Sequence, residues 1–385
     1  MTGTPGSTVS TNPSSPGGRG GHIRRGTRLI SQSVTFFESL ARKFDRTGVD
    51  PVVWHAPPPP PLTGVLAPNG VLDGVHRWAL PTGEGPEDVA VDHDGRVVTG
   101  GNDGRIWRFD SRGDATELAN TGGRPLGVEV LDDGRYLICD AERGVLRVDE
   151  KGRVDVLADT AVGRPLVACN NSAVGRDGTV YFTDSSAHFT IADHRYDLLE
   201  HRGTGRLLRL DPRTGETDLL AEGLQFANGV GLASDESFVL VAETGSYQIS
   251  RVDLAGPSQG STSVWAENLP GIPDNMTSQT HDGLFWVALY SPRMRLLDLL
   301  APYPALRIVA ANLPEAVQPN PVHAGWVVAL DQRGRIVHSL RGGKGSYAPV
   351  TGVREHDGWL YLGSLTADAV ARVPAPPRPH IAAGK

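Results

Sequence analysis

The feature that most constrains this chain is a short pattern that occurs six times from Asp94 onward. Each copy opens on a turn, usually Asp-Gly. It runs through an alternating strand, a Gly-containing turn and a second alternating strand that closes on Asp. It reads DGRVVTGGNDGRIWRFD from Asp94 and DGRYLICDAERGVLRVD from Asp133. It recurs as DGTVYFTDSS from Asp177, completed by GRLLRLD at Gly205, and in degenerate form as DESFVLVAETGSYQISRVD from Asp235. DGLFWVALYS follows from Asp282, completed by GWVVALD at Gly325, and DGWLYLGSLTADAVARV from Asp357 ends the series. The starts lie 39, 44, 58, 47 and 75 residues apart. Asp-Gly turns between period-two segments are hairpins. A repeat of roughly 40 residues built from short strands is a propeller blade. The expected fold is therefore all-β, a six-bladed β-propeller over residues 61–375. The two long intervals hold insertions, Ser185–Arg202 and Ser291–Pro321. The second, in blade five, has a helical pattern and is expected to lie over one mouth of the channel.

The flanks read differently. Residues 1–27 are rich in Gly, Ser, Thr and Pro and have little to bury, which predicts a disordered tail. Residues 28–46 carry Leu29, Val34, Phe36, Phe37, Leu40 and Phe44 at mostly helical spacing. That pattern predicts a short amphipathic helix, docked on the domain or lying on a membrane surface. Pro57–Pro61 is a stiff spacer, so residues 1–60 are read as a region ahead of the propeller and 376–385 as a C-terminal tail. The net charge of −7 argues against a nucleic-acid partner, which needs a concentrated basic surface. The one basic cluster, Arg19 to Arg28, lies in the tail. No run reaches the roughly 18 apolar residues of a membrane span, and the N-terminus lacks the apolar core of a secretory signal. A monomer resident in the cytoplasm is the expectation. Cys139 and Cys169 fall in apolar strands and read as buried small hydrophobes.

A repeat allows positions to be compared within one chain. Seven residues before the Asp that opens each turn stand Glu87, Leu126, Asn170 and Asn228 in the first four units. In the fifth, one place further back, stands Asp274; in the sixth the nearest residues are Val350 and Thr351. Innermost strands line a propeller's channel, so these positions face one axis. Asn and Asp also cap strand ends and turns, but four oxygen-bearing side chains at one register favour a shared task. Two carboxylates facing each other there are expensive to bury unless a cation lies between them. Carboxylate and amide oxygens without His or Cys form a ligand set for Ca2+ or another hard divalent cation. Asn171 and Asn275, beside two of these, are candidates for further ligands or supporting donors, with turn stabilisation as the simpler role.

With those residues in view, the chain resembles the six-bladed propeller hydrolases that include gluconolactonases of the senescence-marker-protein family and paraoxonases. Glu87, Asn170, Asn228 and Asp274 match their calcium ligands. The stretches VYFTDSS (180–186), GRLLRLDPRTGET (205–217), FANGV (226–230), VAETGSY (241–247) and LPGIPDN (269–275) are similar to the strictosidine-synthase-like branch, which also holds the adipocyte plasma-membrane-associated proteins. Departures limit what this implies. The sixth-blade glutamate of strictosidine synthases falls here on Thr351, and the His two places earlier on Pro349. The second-blade His of paraoxonases falls on Leu126.

These readings give an expected calcium-dependent hydrolase for a small-molecule ester or lactone. Asp274 and Asn170 are the catalytic candidates, Asp274 as general base or water-orienting group. Glu87 anchors the ion, and Asn170 and Asn228 are neutral ligands that leave it charged enough to polarise a carbonyl. Tyr181, Phe182, Asp184 and Glu243 are candidates for the same mouth, as are His188 and His194 of the blade-three insertion. The alternatives are a binding propeller with structural calcium, and a carbon–nitrogen bond-forming enzyme that Thr351 disfavours.

Overall fold

The computed structural model describes residues 41–43, 45–314 and 322–377. The expected 1–27 tail, most of the 28–46 helix and residues 378–385 lie outside this set; residues 41–43 are helical. Six four-stranded antiparallel sheets are arranged as the blades of a propeller. Five take their strands in chain order, with innermost strands Val89–Val91, Pro125–Val130, Cys169–Val174, Ala227–Leu232 and Gly271–Met276. The sixth is assembled from both ends of the ring. Gly352–His356, Trp359–Gly363 and Ala369–Pro374 supply three strands, and His76–Ala79 adds the outermost, His76 opposite Arg372 and Ala79 opposite Ala369.

The turn chemistry read from the sequence builds these hairpins. Gly95, Gly134 and Gly178 take φ of 75°, 81° and 86°, a left-handed conformation that glycine adopts without strain. The degenerate fourth copy places Glu236 there, at φ 57°. The Asp that closes the third strand caps the outer hairpin. Asp110 Oδ1 accepts from the Arg112 and Asp114 amides, and Asp149 and Asp331 repeat the arrangement. Core side chains interleave between neighbouring sheets, as where Leu137, Cys139 and Val145 of blade two meet Val180, Phe182 and Leu208 of blade three. Both cysteines are free and buried.

Three helices cover one mouth. The blade-three insertion forms α1 (His194–Glu200); the blade-five insertion forms α2 (Arg295–Leu300) and α3 (Pro304–Ala311). Residues 45–61, which the sequence assigns ahead of the propeller, run across these helices as a strap. Val49 is buried with Ile308 and Ala311, the Val52 amide donates to Glu200 O (3.0 Å) and the Trp54 amide to Ala301 O (3.3 Å). Arg307 clamps the assembly, donating to Leu199 O at 2.8 Å and also to Val52 O. Among the described residues no helix is long and apolar enough to cross a membrane.

Candidate metal centre beneath a lidded cavity

The four predicted ligands occupy one structural position. In blades two to five the innermost strand carries a bulge, two residues left unpaired between paired neighbours. Leu126, Asn170, Asn228 and Asp274 are each the first of those two. Glu87 stands likewise two residues before Val89, the first paired residue of blade one. A bulge re-aims a side chain out of the alternating pattern, and here it turns polar groups toward the axis. The fifth blade has one extra residue between bulge and turn, which accounts for its shifted count.

The second bulge residue has a different task. Around the ring these positions read Asp88, Gly127, Asn171, Gly229, Asn275 and, in blade six, Gly352. A Cβ on Gly127 would sit 2.8 Å from Asn171 Cα, one on Gly229 2.7 Å from Asn275 Cα, and one on Gly352 2.7 Å from Asp88 Cα. Each glycine thus makes room for the next polar residue. Asn171 donates to Asp88 Oδ2 (3.1 Å) and accepts from the Val230 amide (3.0 Å), bracing three blades. Asn275 donates to Glu87 Oε1 (2.7 Å). Neither lines the cavity.

Glu87, Asn170, Asn228 and Asp274 form the floor of a cavity of about 310 Å³, and all four are buried. Asn228 donates from Nδ2 to Asp274 Oδ1 (2.7 Å) and to Thr244 Oγ1 (3.2 Å). Both amide hydrogens are therefore spent and its Oδ1 remains an acceptor. Glu87 Oε2, Asn170 Oδ1, Asn228 Oδ1 and Asn275 Oδ1 have no hydrogen-bond partner. Buried acceptors left so are costly. Three of them belong to the predicted ligands, a donor set that fits a hard divalent cation. Among the described residues no three His, Cys, Asp or Glu side chains converge as a metal site, so the fit depends on the two amides. Burial first, then the charges of Asp274 and Asp88, push Glu87 well above the usual carboxylate range. Burial lifts Asp274 to about 7 against the hydrogen bond from Asn228.

Leu126 lies on the same floor, and Thr351 is buried with its hydroxyl donating to Glu87 O (2.6 Å). The walls include Ile191, Phe226, Ile272 and Leu300, with Tyr290, Tyr247, His194, His201, Thr244, Arg195 and Arg307 among the polar lining. His194 Nδ1 donates to Ile191 O (2.8 Å), which leaves Nε2 as an acceptor; burial pushes its pKa down. His188 instead meets Glu200 at 3.4 Å and does not line the cavity. Tyr181 and Phe182 pack in the blade cores. Asp184 is buried against Arg206 at 2.6 Å, and Glu243 accepts the Gln225 amide at 2.8 Å. None of these four reaches the cavity.

Several wall residues escape sequence reasoning. Trp54 of the strap lies 4.1 Å from the His201 ring and 5.8 Å from Tyr247. Tyr247 donates to Asp298 Oδ1 (2.8 Å) under Arg293. His201, Phe226 and Tyr247 all have left-handed backbones, with φ of 56° to 57°. Such conformations in bulky residues are unusual and gather at functional sites. No residue-type rule announces them in sequence.

The arrangement defines a class: a six-bladed propeller with a channel-floor set of carboxylate and amide oxygens under a helical lid. Comparison with known proteins gives the family. Residues 170–257 match the strictosidine synthase profile and 64–109 the strictosidine synthase-like N-terminal profile. Adipocyte plasma membrane-associated protein of Rattus norvegicus is 33% identical over 350 residues, covering 84% of this chain and 92% of that protein. Strictosidine synthase-like 13 of Arabidopsis thaliana is 33% identical over 66% of this chain and 62% of its own. The chain belongs to the strictosidine synthase-like family. The fold is shared with a gluconolactonase of Xanthomonas campestris (TM-score 0.58, 18% identity, 85% of this chain and 98% of that one). It is also shared with regucalcin, a calcium-binding protein of Agrobacterium tumefaciens (TM-score 0.54, 13% identity, 79% and 96%).

Proposed function

We propose that this chain is a hydrolase of esters or lactones that depends on calcium or another hard divalent cation. One observation carries the reading: Glu87 Oε2, Asn170 Oδ1 and Asn228 Oδ1 are partnerless acceptors on the floor of a largely apolar cavity. A cation held by Glu87, Asn170, Asn228 and Asp274 would polarise the substrate carbonyl and stabilise its oxyanion. The residues of the chain do the rest. Asn228 and the Thr244 hydroxyl, which donates to Pro273 O (2.9 Å), hold Asp274 in one orientation. Asp274, which burial holds above the usual carboxylate range when no ion is bound, is the carboxylate placed to orient water or accept its proton. His194 Nε2 is a second candidate base in the cavity, which His201 also lines. Tyr290, kept protonated by burial and by Asp274, offers a hydroxyl donor. The apolar walls exclude water and suit an acyl or aryl group. The gluconolactonase and the calcium-binding protein of this fold accord with the proposal.

A binding propeller with structural calcium is the second reading. Leu126 and Thr351, which fill two positions with groups unable to move a proton, favour it. Turnover of phenyl acetate and a lactone panel, with and without chelator, separates the two. Hydrolysis should be abolished by chelation and reduced by roughly 100-fold or more in Asp274→Ala, the usual scale for losing a proton-transfer group. Turnover indifferent to both treatments sinks the metallohydrolase reading. Bound metal without turnover establishes the binding module.

A further inference from the structure

The lid is apolar on both sides. Leu297, Leu300, Ala301 and Ala310 line the cavity from above. On the outer side Leu296, Leu299, Tyr303, Leu306, Val309 and Leu313 are 39% to 65% exposed. Half of the 14 large hydrophobic side chains exposed among the described residues fall between 296 and 322. Helices apolar all round are buried in something, and a concentrated exposed patch marks a contact surface. The charges around this one are distinctive. Between 293 and 314 the one carboxylate, Asp298, is turned inward onto the Tyr247 hydroxyl and Arg293. The exposed charge on the helices is Arg295. The strap reaches the far end of α3, where the Arg46 amide donates to Asn312 Oδ1 (2.8 Å), and Lys43 and Arg46 are exposed there. A protein of net charge −7 thus presents an apolar face bordered by the exposed Arg295, Lys43 and Arg46, while the strap's own carboxylates are engaged, Asp45 by Asn312 Nδ2 (2.9 Å) and Asp50 by Arg42 and Arg202.

We propose that the outer face of α2 and α3 docks on an anionic lipid surface. Leucines flanked by Lys and Arg, with a tyrosine at the helix corner, suit shallow insertion among headgroups. Six side chains on one helical hairpin fall short of the roughly 20–30 residues a side of a specific protein interface, which argues against a second copy as occupant. The docked lid would place the roof of the cavity against the lipid. The inference rests on the outer face alone and stands whether or not the chain is a hydrolase.

The test is sedimentation of the full chain with phosphatidylcholine vesicles, with and without phosphatidylserine. The wild type should pellet with the phosphatidylserine vesicles, less so as salt rises. Leu299→Glu with Leu306→Glu should weaken binding roughly tenfold or more, because each leucine no longer leaves water. The gentler Ser pair should give an intermediate loss. Val156→Glu with Val264→Glu, exposed valines elsewhere, should bind like the wild type. The proposal is overturned if the wild type stays in the supernatant, or if the lid pair binds unchanged. It is equally overturned if the wild type is a dimer in solution that the lid pair turns into monomer.

Discussion

At the scale of single residues, the site is a problem of charge taken out of water. Asp274 titrates at about 7 in the folded chain against about 4 when unfolded. Without a cation, the folded state therefore holds this proton longer, and stability drains away as pH rises through that window. Asp274→Asn keeps an oxygen for the Asn228 donor and removes the charge. Its stability relative to wild type in chelator should accordingly climb as pH goes from about 4 to about 8, by on the order of a few kcal/mol. Saturating calcium should cancel or reverse the difference, since a ligand bound only by the native state stabilises it. Denaturation midpoints at several pH values, with and without the ion, measure this. Parallel curves would mean that the carboxylate is solvated.

At the scale of elements, the site is a property of bulges. Gly229 sits where a Cβ would lie 2.3 Å from the Met276 amide nitrogen. Gly229→Ala should therefore push the blade-four and blade-five strands apart, costing roughly 1–3 kcal/mol by overpacking and weakening calcium binding seen by calorimetry. Unchanged affinity would show that the ring of bulges tolerates slack. The bulges also explain what the sequence disclosed. Turns are local, so turns, mostly Asp-Gly, announced the blades, and a turn-to-bulge distance that is constant in the first four blades and one residue longer in the fifth brought Glu87, Asn170, Asn228 and Asp274 into register. Asn171 and Asn275 stayed ambiguous because a side chain's partner across the channel is a long-range fact. Trp54, His201 and Tyr247 were hidden for the same reason: the strap and insertions that bring them together have no repeat against which to count. Asp184 and Glu243 looked eligible by residue type, yet Asp184 is taken up by backbone amides and Arg206, and Glu243 by the Gln225 amide, Gln248 and Ser250, rather than by the cavity.

At the scale of the molecule, everything depends on the ring being shut. Trp78 on the closing strand packs with Phe109 of blade one and Tyr361 of blade six, both at 6.0 Å, beneath Arg372. Trp78→Ala should cost about 3–5 kcal/mol, the range for deleting a buried large aromatic. It should also lower calcium affinity without touching a ligand, because Glu87 and Asp274 are held in one frame only by a closed ring. Chemical denaturation and metal titration of the same variant read both effects. A stability loss with full calcium affinity would separate the site from the closure.

The closing strand also sets a timetable for synthesis. His76–Ala79 leaves the ribosome before every other described strand of the ring, yet its partner Ala369–Pro374 is the last of them to be made. Throughout translation the nascent chain carries a raw sheet edge at each end of a growing arc. Such edges recruit other strands. The blade order that completes the channel thus asks the cell to shield an unfinished product until the strand Ala369–Pro374 has been made, and a ribosome stalled in blade five or six would leave a chain primed to aggregate.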